Sequence, residues 1–289
     1  MSRVAVVTDT THYLPRDVVR EAGLTEVSLY VREGDTLTRE ADMPTFDAFY
    51  ERLRTSAELP TTSQPSIGDF LAAYEPLAAE GRDIVSVHLS GGISGTVESA
   101  RQAAEELERR GASSRVIVVD SGSACGGLGG IVLATAAAAR AGLDAGEVAA
   151  RAQAAHEATK IWFAVDTLEY LRRGGRIGSV QAWVGGALKV KPILTLENEL
   201  VPIERVRTGR RAFERMVDYL RARRDDGATT WFIQHIRAPE EADRLVEEGR
   251  RIFGSEPLFV SEIGPVIGAH VGPGLLGVAG MPPSLLEER

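Results

Sequence analysis

Hydrophobic residues in the first half of the chain fall in short continuous runs. Val4 to Val7, Ile84 to Leu89 and Arg115 to Val119 are rich in β-branched residues, and each precedes a small-residue loop and a helical stretch. Continuous apolar runs mark strands buried on both faces, and their alternation with helices predicts a parallel sheet in an α/β domain. Glu26 to Val31 reads as a further strand. Helix signals lie between these runs. Pro15 stands where a helix can start and Gly23 where it can stop. Thr45 can cap a helix over Phe46 to Arg54, and Ser66 with Asp69 forms a capping-box start for a helix through Tyr74. Helices are also expected over Val97 to Arg109, over Gly126 to Ala139 (Gly- and Ala-rich, hence buried), and over Ala145 to about Ala158.

The second half has a different grammar. Ile161 to Val165 is a strand, followed by helical Leu168 to Arg173. Val190 to Leu196 and Leu200 to Arg207 read as a β-hairpin around Glu197-Asn198-Glu199. A helix (Arg211 to Arg223), a strand (Trp231 to Ile236), a helix (Glu240 to Ile252) and a last strand (Leu258 to Glu262) complete an α+β pattern. The expected architecture is two α/β domains meeting at a cleft: a parallel-sheet, Rossmann-like domain over 1–158 and an α+β domain over 159–289.

Composition narrows the class. Apolar residues make up 44% of the 289 and charged residues 26%, which is ordinary globular composition. No apolar run approaches the ~20 residues that cross a bilayer, and Met1-Ser2-Arg3 leads into a strand without a signal cleavage site. A cytoplasmic protein without stable membrane insertion is expected. The net charge of −8 argues against nucleic acid as a partner, and a single cysteine, Cys125, excludes an internal disulfide or a Cys-based zinc site.

Four segments could carry chemistry. Thr61-Thr62-Ser63-Gln64-Pro65-Ser66 offers four hydroxyls ahead of a helix, where capping needs only one. Ser90-Gly91-Gly92-Ile93-Ser94-Gly95-Thr96 joins a buried strand to a helix start, a good seat for an anion. It lacks the Lys of a P-loop, and Gly-Ile-Ser-Gly-Thr breaks the GxSxG elbow at its last position. Leu168 to Gly178 places Arg172, Arg173 and Arg176 around a Gly-Gly turn, as a phosphate or acidic-partner site or as a solvated helix end. Lys189, Lys191, Arg205, Arg207, Arg210 and Arg211 carry the same ambiguity. Ile263 to Gly274, with four glycines and two prolines, reads as a rigid loop with one polar side chain, His270. His12, His88, His156 and His235 have no such context.

Together with Thr8-Asp9-Thr10-Thr11, these segments resemble, in order from Thr8 to Gly277, the DegV family, which includes the fatty-acid-binding subunits of bacterial fatty acid kinase. The family usually has an aromatic residue and Gln after Ser-Gly-Thr, where this chain has Val97-Glu98. The resemblance implies a long-chain fatty acid in a tunnel between the domains, with Thr62 and Ser94 bonding its carboxylate. Ser63, Gly95, Thr96 and His270 would complete the ligand set, and Arg172, Arg173 and Arg176 would face the kinase or the acyl phosphate. It implies no cofactor and no catalysis by this subunit, since the kinase subunit brings ATP and the catalytic groups. Two other readings stand beside it: a serine hydrolase or acyltransferase using Ser94 and His270, and a small-anion sensor using the arginine turn.

Overall fold

The computed structural model describes residues 3–56, 58–183 and 190–288; Lys189 lies outside them. In chain order the first part contains β1 (Val4–Asp9), α1 (Arg16–Ala22), β2 (Thr25–Val27), β3 (Tyr30–Glu33), β4 (Thr36–Arg39), α2 (Asp47–Thr55) and β5 (Thr61–Ser63). It continues with α3 (Ile67–Ala79), β6 (Asp83–His88), α4 (Thr96–Arg109), β7 (Val116–Asp120), α5 (Cys125–Arg140) and α6 (Ala145–Ala158). Then follow β8 (Lys160–Ala164), α7 (Glu169–Arg173), β9 (Lys191–Glu197), β10 (Glu199–Val206), α8 (Gly209–Asp225), β11 (Thr230–His235), α9 (Pro239–Phe253), β12 (Val260–Glu262), α10 (Pro265–Val271) and β13 (Leu276–Met281).

The apolar runs of the first half form a four-stranded parallel sheet in the order β2-β1-β6-β7. A six-stranded sheet, β10-β9-β8-β13-β11-β12, is antiparallel except for the β11–β12 pair. Both agree with the α/β reading. Three features depart from it. The expected strand Glu26 to Val31 breaks after Val27, and its second part enters a small antiparallel sheet, β4-β3-β5, that also absorbs Thr61–Ser63. Pro265–Val271 is a helix rather than a rigid loop. The strand after it, β13, sits in the middle of the large sheet.

Local signals explain many boundaries. Gly23 closes α1 at φ 65°, a backbone angle that costs glycine little. Ser66 and Asp69 make both bonds of a capping box on α3. Thr45, by contrast, caps nothing: α2 begins at Asp47 after Phe46, with no side-chain cap.

The central element is α5, buried from Gly126 to Ala139 and packed on β1 and β6 on one side and β8, β11 and β13 on the other. One apolar cluster runs from Val6 and Val87 through Leu128 and Ile131 to Phe232 and Ala279. Small residues let both sheets approach this helix. A methyl on Gly130 would lie 3.1 Å from both Met281 Sδ and the Phe232 ring.

Candidate functional site

Where the first turn of α5 faces the six-stranded sheet there is a cavity of about 350 Å³. Its walls are mainly apolar, with Leu89, Phe163, Leu171, Phe232, Val278 and Ala279 among them. Thr62, Ser63, Gln64, Ser94, Arg176 and His270 also line it. The lining residues exposed to solvent are Ser63, Gln64 and Arg176, all polar, whereas Phe232, Val278 and Ala279 are buried. The cavity therefore has a polar mouth and an apolar interior.

Each polar residue is positioned by its element. Thr62 pairs with Val31 in the small sheet, and its hydroxyl lies 2.7 Å from His270 Nε2. Ser94 sits in the turn between β6 and α4, where its Oγ is 2.9 Å from Thr96 Oγ1 and 3.3 Å from the Thr96 N–H. Thr96 is fully buried, so it orients Ser94 without lining the cavity. Gly95 does not line it either; an added Cβ would fall 2.2 Å from Gln64 Oε1, so the close approach of that side chain requires glycine. Arg176 bonds the Ile93 and Gly174 carbonyls, at 3.4 and 2.9 Å, and so reaches the mouth. Arg172 is exposed and paired with Glu169, and Arg173 is exposed; neither lines the cavity.

Burial, with Arg176 nearby, pushes His270 down to about 4, so its ring is neutral near pH 7. A neutral imidazole has one donor and one acceptor nitrogen. If Nε2–H donates to Thr62 Oγ1, the threonine proton remains available to an acceptor in the cavity. His270 Nδ1 is buried and has no partner among the described residues.

His270 is held by an unusually polar support. Val266 N–H, at the start of α10, donates to Glu40 at 2.8 Å, and Thr10 and Tyr13 donate their hydroxyls to the same carboxylate at 2.7 and 2.9 Å. Glu40 is buried, which pushes it up to about 7 despite these donors. Gly268 lets α10 close on Tyr50, whose hydroxyl would be 2.3 Å from an added Cβ. The same burial, with Glu40 and Asp9, pushes the Cys125 thiol well up, so it serves the cavity wall as a small apolar group rather than a nucleophile.

Ser94 and His270 thus share the cavity but are bonded to other partners. A Ser-His-Asp relay does exist elsewhere, at a histidine for which the sequence offered no context. Tyr74 donates to Ser86 (2.7 Å), Ser86 Oγ lies 2.6 Å from His88 Nε2, and His88 Nδ1 lies 3.0 Å from Asp9. Ser86, His88 and Asp9 are all completely buried and none lines the cavity; this chain of bonds joins β1 to β6. Burial alone would raise the Asp9 carboxyl, but bonds from His88, Thr11 and Leu89 N–H hold it below the ordinary range.

Gln64, Cys125, Gly126, Gly127 and Gln234 also line the cavity and are not among the ligand residues expected from the sequence. Gln234 had a readable signal: it is an amide directly after the apolar run Trp231 to Ile233 in a predicted strand. Among the described residues no cluster of His, Cys, Asp and Glu could hold a metal ion, and no helix is long and apolar enough to cross a membrane.

Fold and site define an α/β protein with an internal apolar cavity headed by hydroxyls and an imidazole. The chain belongs to the DegV family: the model described as "Uncharacterised protein, DegV family" matches residues 3–282. A DegV domain-containing protein of Streptomyces coelicolor is 42% identical over 282 residues, covering 96% of this chain and 98% of that protein. Two solved structures are similar over nearly the full length. A Thermus thermophilus DegV family protein, described for its fatty acid binding, has a TM-score of 0.87 at 33% identity, covering 98% of this chain and 100% of that one. DegV of Bacillus subtilis, described as a fatty acid binding protein, has 0.86 at 33%, covering 97% and 100%.

Proposed function

We propose that this protein carries a long-chain fatty acid, its tail in the cavity and its carboxylate at Thr62, Ser94 and His270, and presents that carboxylate to a kinase subunit that converts it to an acyl phosphate. The observation that carries the reading is the division of the cavity into a buried apolar interior and a polar mouth. Burial of each methylene contributes about 0.8 kcal/mol, so a tail of ~14 gives roughly 11 kcal/mol before the cost of association. A carboxylate buried without partners would cost several kcal/mol. Hydroxyls on two elements meet that need and leave its oxygens open to a second protein, unlike a bidentate arginine. The fatty acid binding described for the Thermus and Bacillus relatives supports the ligand class. A hydrolase would need Ser94 hydrogen-bonded to His270, whereas Ser94 is bonded to Thr96 and His270 to Thr62.

The first test is mass spectrometry of the organic extract from protein purified without added lipid. A stoichiometric fatty acid is expected; a clean extract together with failure to take up any acid offered would sink the reading. Charge reversal at Arg176, on the rim, should weaken phosphorylation by the kinase while lipid loading persists. Loss of loading would place Arg176 in the binding site instead.

Gly174→Ala probes the imidazole. Gly174 has an ordinary φ of −77°, but its added Cβ would lie 2.5 Å from His270 Nδ1. The ring must shift off Thr62, and the loss of one such bond should lower fatty-acid affinity by roughly tenfold. An unchanged affinity in a displacement titration would show that His270 does not support the carboxylate site.

A further inference from the structure

We propose that the interior of the cavity takes an acyl chain bearing a hydroxyl group, which donates its hydrogen bond to Gln234 Oε1. This rests on the fatty-acid reading and specifies its ligand class. Gln234 is only 4% exposed and lies on β11 between β13 and β12. Its Nε2 donates to the His12 carbonyl at 3.1 Å and to Ser261 Oγ at 2.8 Å, with the Tyr13 carbonyl at 3.5 Å. Two main-chain carbonyls can only accept, so they fix which end of the amide carries the protons. The oxygen is thereby turned away from them.

That oxygen, Oε1, is buried and has no hydrogen-bond partner among the described residues, while Gln234 lines the cavity. Gly126, also a lining residue, packs closely on this side chain: an added Cβ would lie 3.2 Å from Oε1 and 2.9 Å from the Phe232 ring. Cys125, Gly126 and Gly127, the first turn of α5, border the same wall, and their N–H groups precede any carbonyl the helix can offer. The helix has no side-chain cap at Ala124. An unpaired acceptor and a donor-rich helix start thus adjoin in an otherwise apolar interior. A hydroxyl can donate to the first and accept from the second. A methylene leaves both unsatisfied.

The carboxylate seat fixes one end of the ligand, so only a hydroxyl at a matching distance along the chain reaches Gln234. Elsewhere it would be set against apolar walls such as Phe163 or Leu171 and would weaken binding. The test is competitive displacement on the delipidated full-length protein, using stearic acid and stearic acids with one hydroxyl at successive carbons. One position, or two adjacent ones, should bind about tenfold more tightly than stearic acid, and the remainder more weakly. Gln234→Met should abolish that preference. A wild-type protein that binds every hydroxylated acid more weakly than stearic acid overturns the inference and leaves the fatty-acid reading intact. Failure to bind stearic acid as well would remove both. The wild-type ranking decides the matter even if Gln234→Met does not fold, since that residue also ties the His12–Tyr13 turn to β11.

Discussion

Replacing Thr62 with Val and Ser94 with Ala together should weaken fatty-acid binding by about a hundredfold to ten-thousandfold. A hydrogen bond to a charged group contributes roughly 1.5–3 kcal/mol, and the double variant removes two from the same carboxylate. The apolar interior is untouched, so the tail still binds and residual micromolar affinity is expected. The single variants need not add to the double, because both hydroxyls serve one anion. A structural cost should accompany the functional one. Thr62→Val strands His270 Nε2 beside the already unpartnered Nδ1, and Ser94→Ala strands the buried Thr96 hydroxyl. Each orphaned group costs about 1–3 kcal/mol, which a urea melt would register. Isothermal titration on refolded, delipidated protein is the measurement. Unchanged affinity in a folded double variant would show that the carboxylate lies elsewhere.

The contributions of Glu40 and His270 to the stability of the lipid-free protein should nearly cancel between about pH 4.5 and 6.5, because their titrations are opposed there. Glu40 is raised from 4.5 to about 7, so in that window the folded state holds a proton that the unfolded state has lost. Its contribution is fully present below 4.5 and disappears as the pH rises through 7. His270 is lowered from 6.5 to about 4, so the unfolded state holds the extra proton, and stability is lost as the pH falls from 6.5 towards 4. Each limb is on the order of 3 kcal/mol. Glu40→Gln keeps an acceptor for Val266 N–H and removes the first limb, so this variant should gain roughly 3 kcal/mol between pH 4.5 and 7 relative to wild type. His270→Gln should do the opposite. Denaturant melts of the three proteins at both pH values check this; parallel pH profiles would mean that neither group titrates as its burial requires.

Much of the local structure was legible in the chain. The buried strands, the Ser66–Asp69 capping box, the Gly23 stop and the Asn198 hairpin depend on contacts within a few residues, which is the range that periodicity and capping describe. Several site residues were legible too, because hydroxyls ahead of α3, a glycine-rich turn ahead of α4 and a lone histidine stand out against their neighbours. The segment holding His270 reads as loop in the sequence but folds as a helix. Its Pro265 at the first helical position and Gly272 just past the end are in fact helix start and stop signals. Glycine's poor helix propensity hid them, and packing of Gly268 on Tyr50 overrides that propensity.

What the sequence determined by itself was the kind of element at most places and the chemical types available at its turns. Tertiary structure decided which of them meet. Thr62 and His270 are 208 positions apart, and their 2.7 Å contact needs the small sheet to hold one and α10 to hold the other. Glu40 fixes α10 from 226 positions away, and Gln234 reaches His12 across 222. No local pattern encodes such pairs, because their energy comes from burial and bond completion only once the two sheets close on α5.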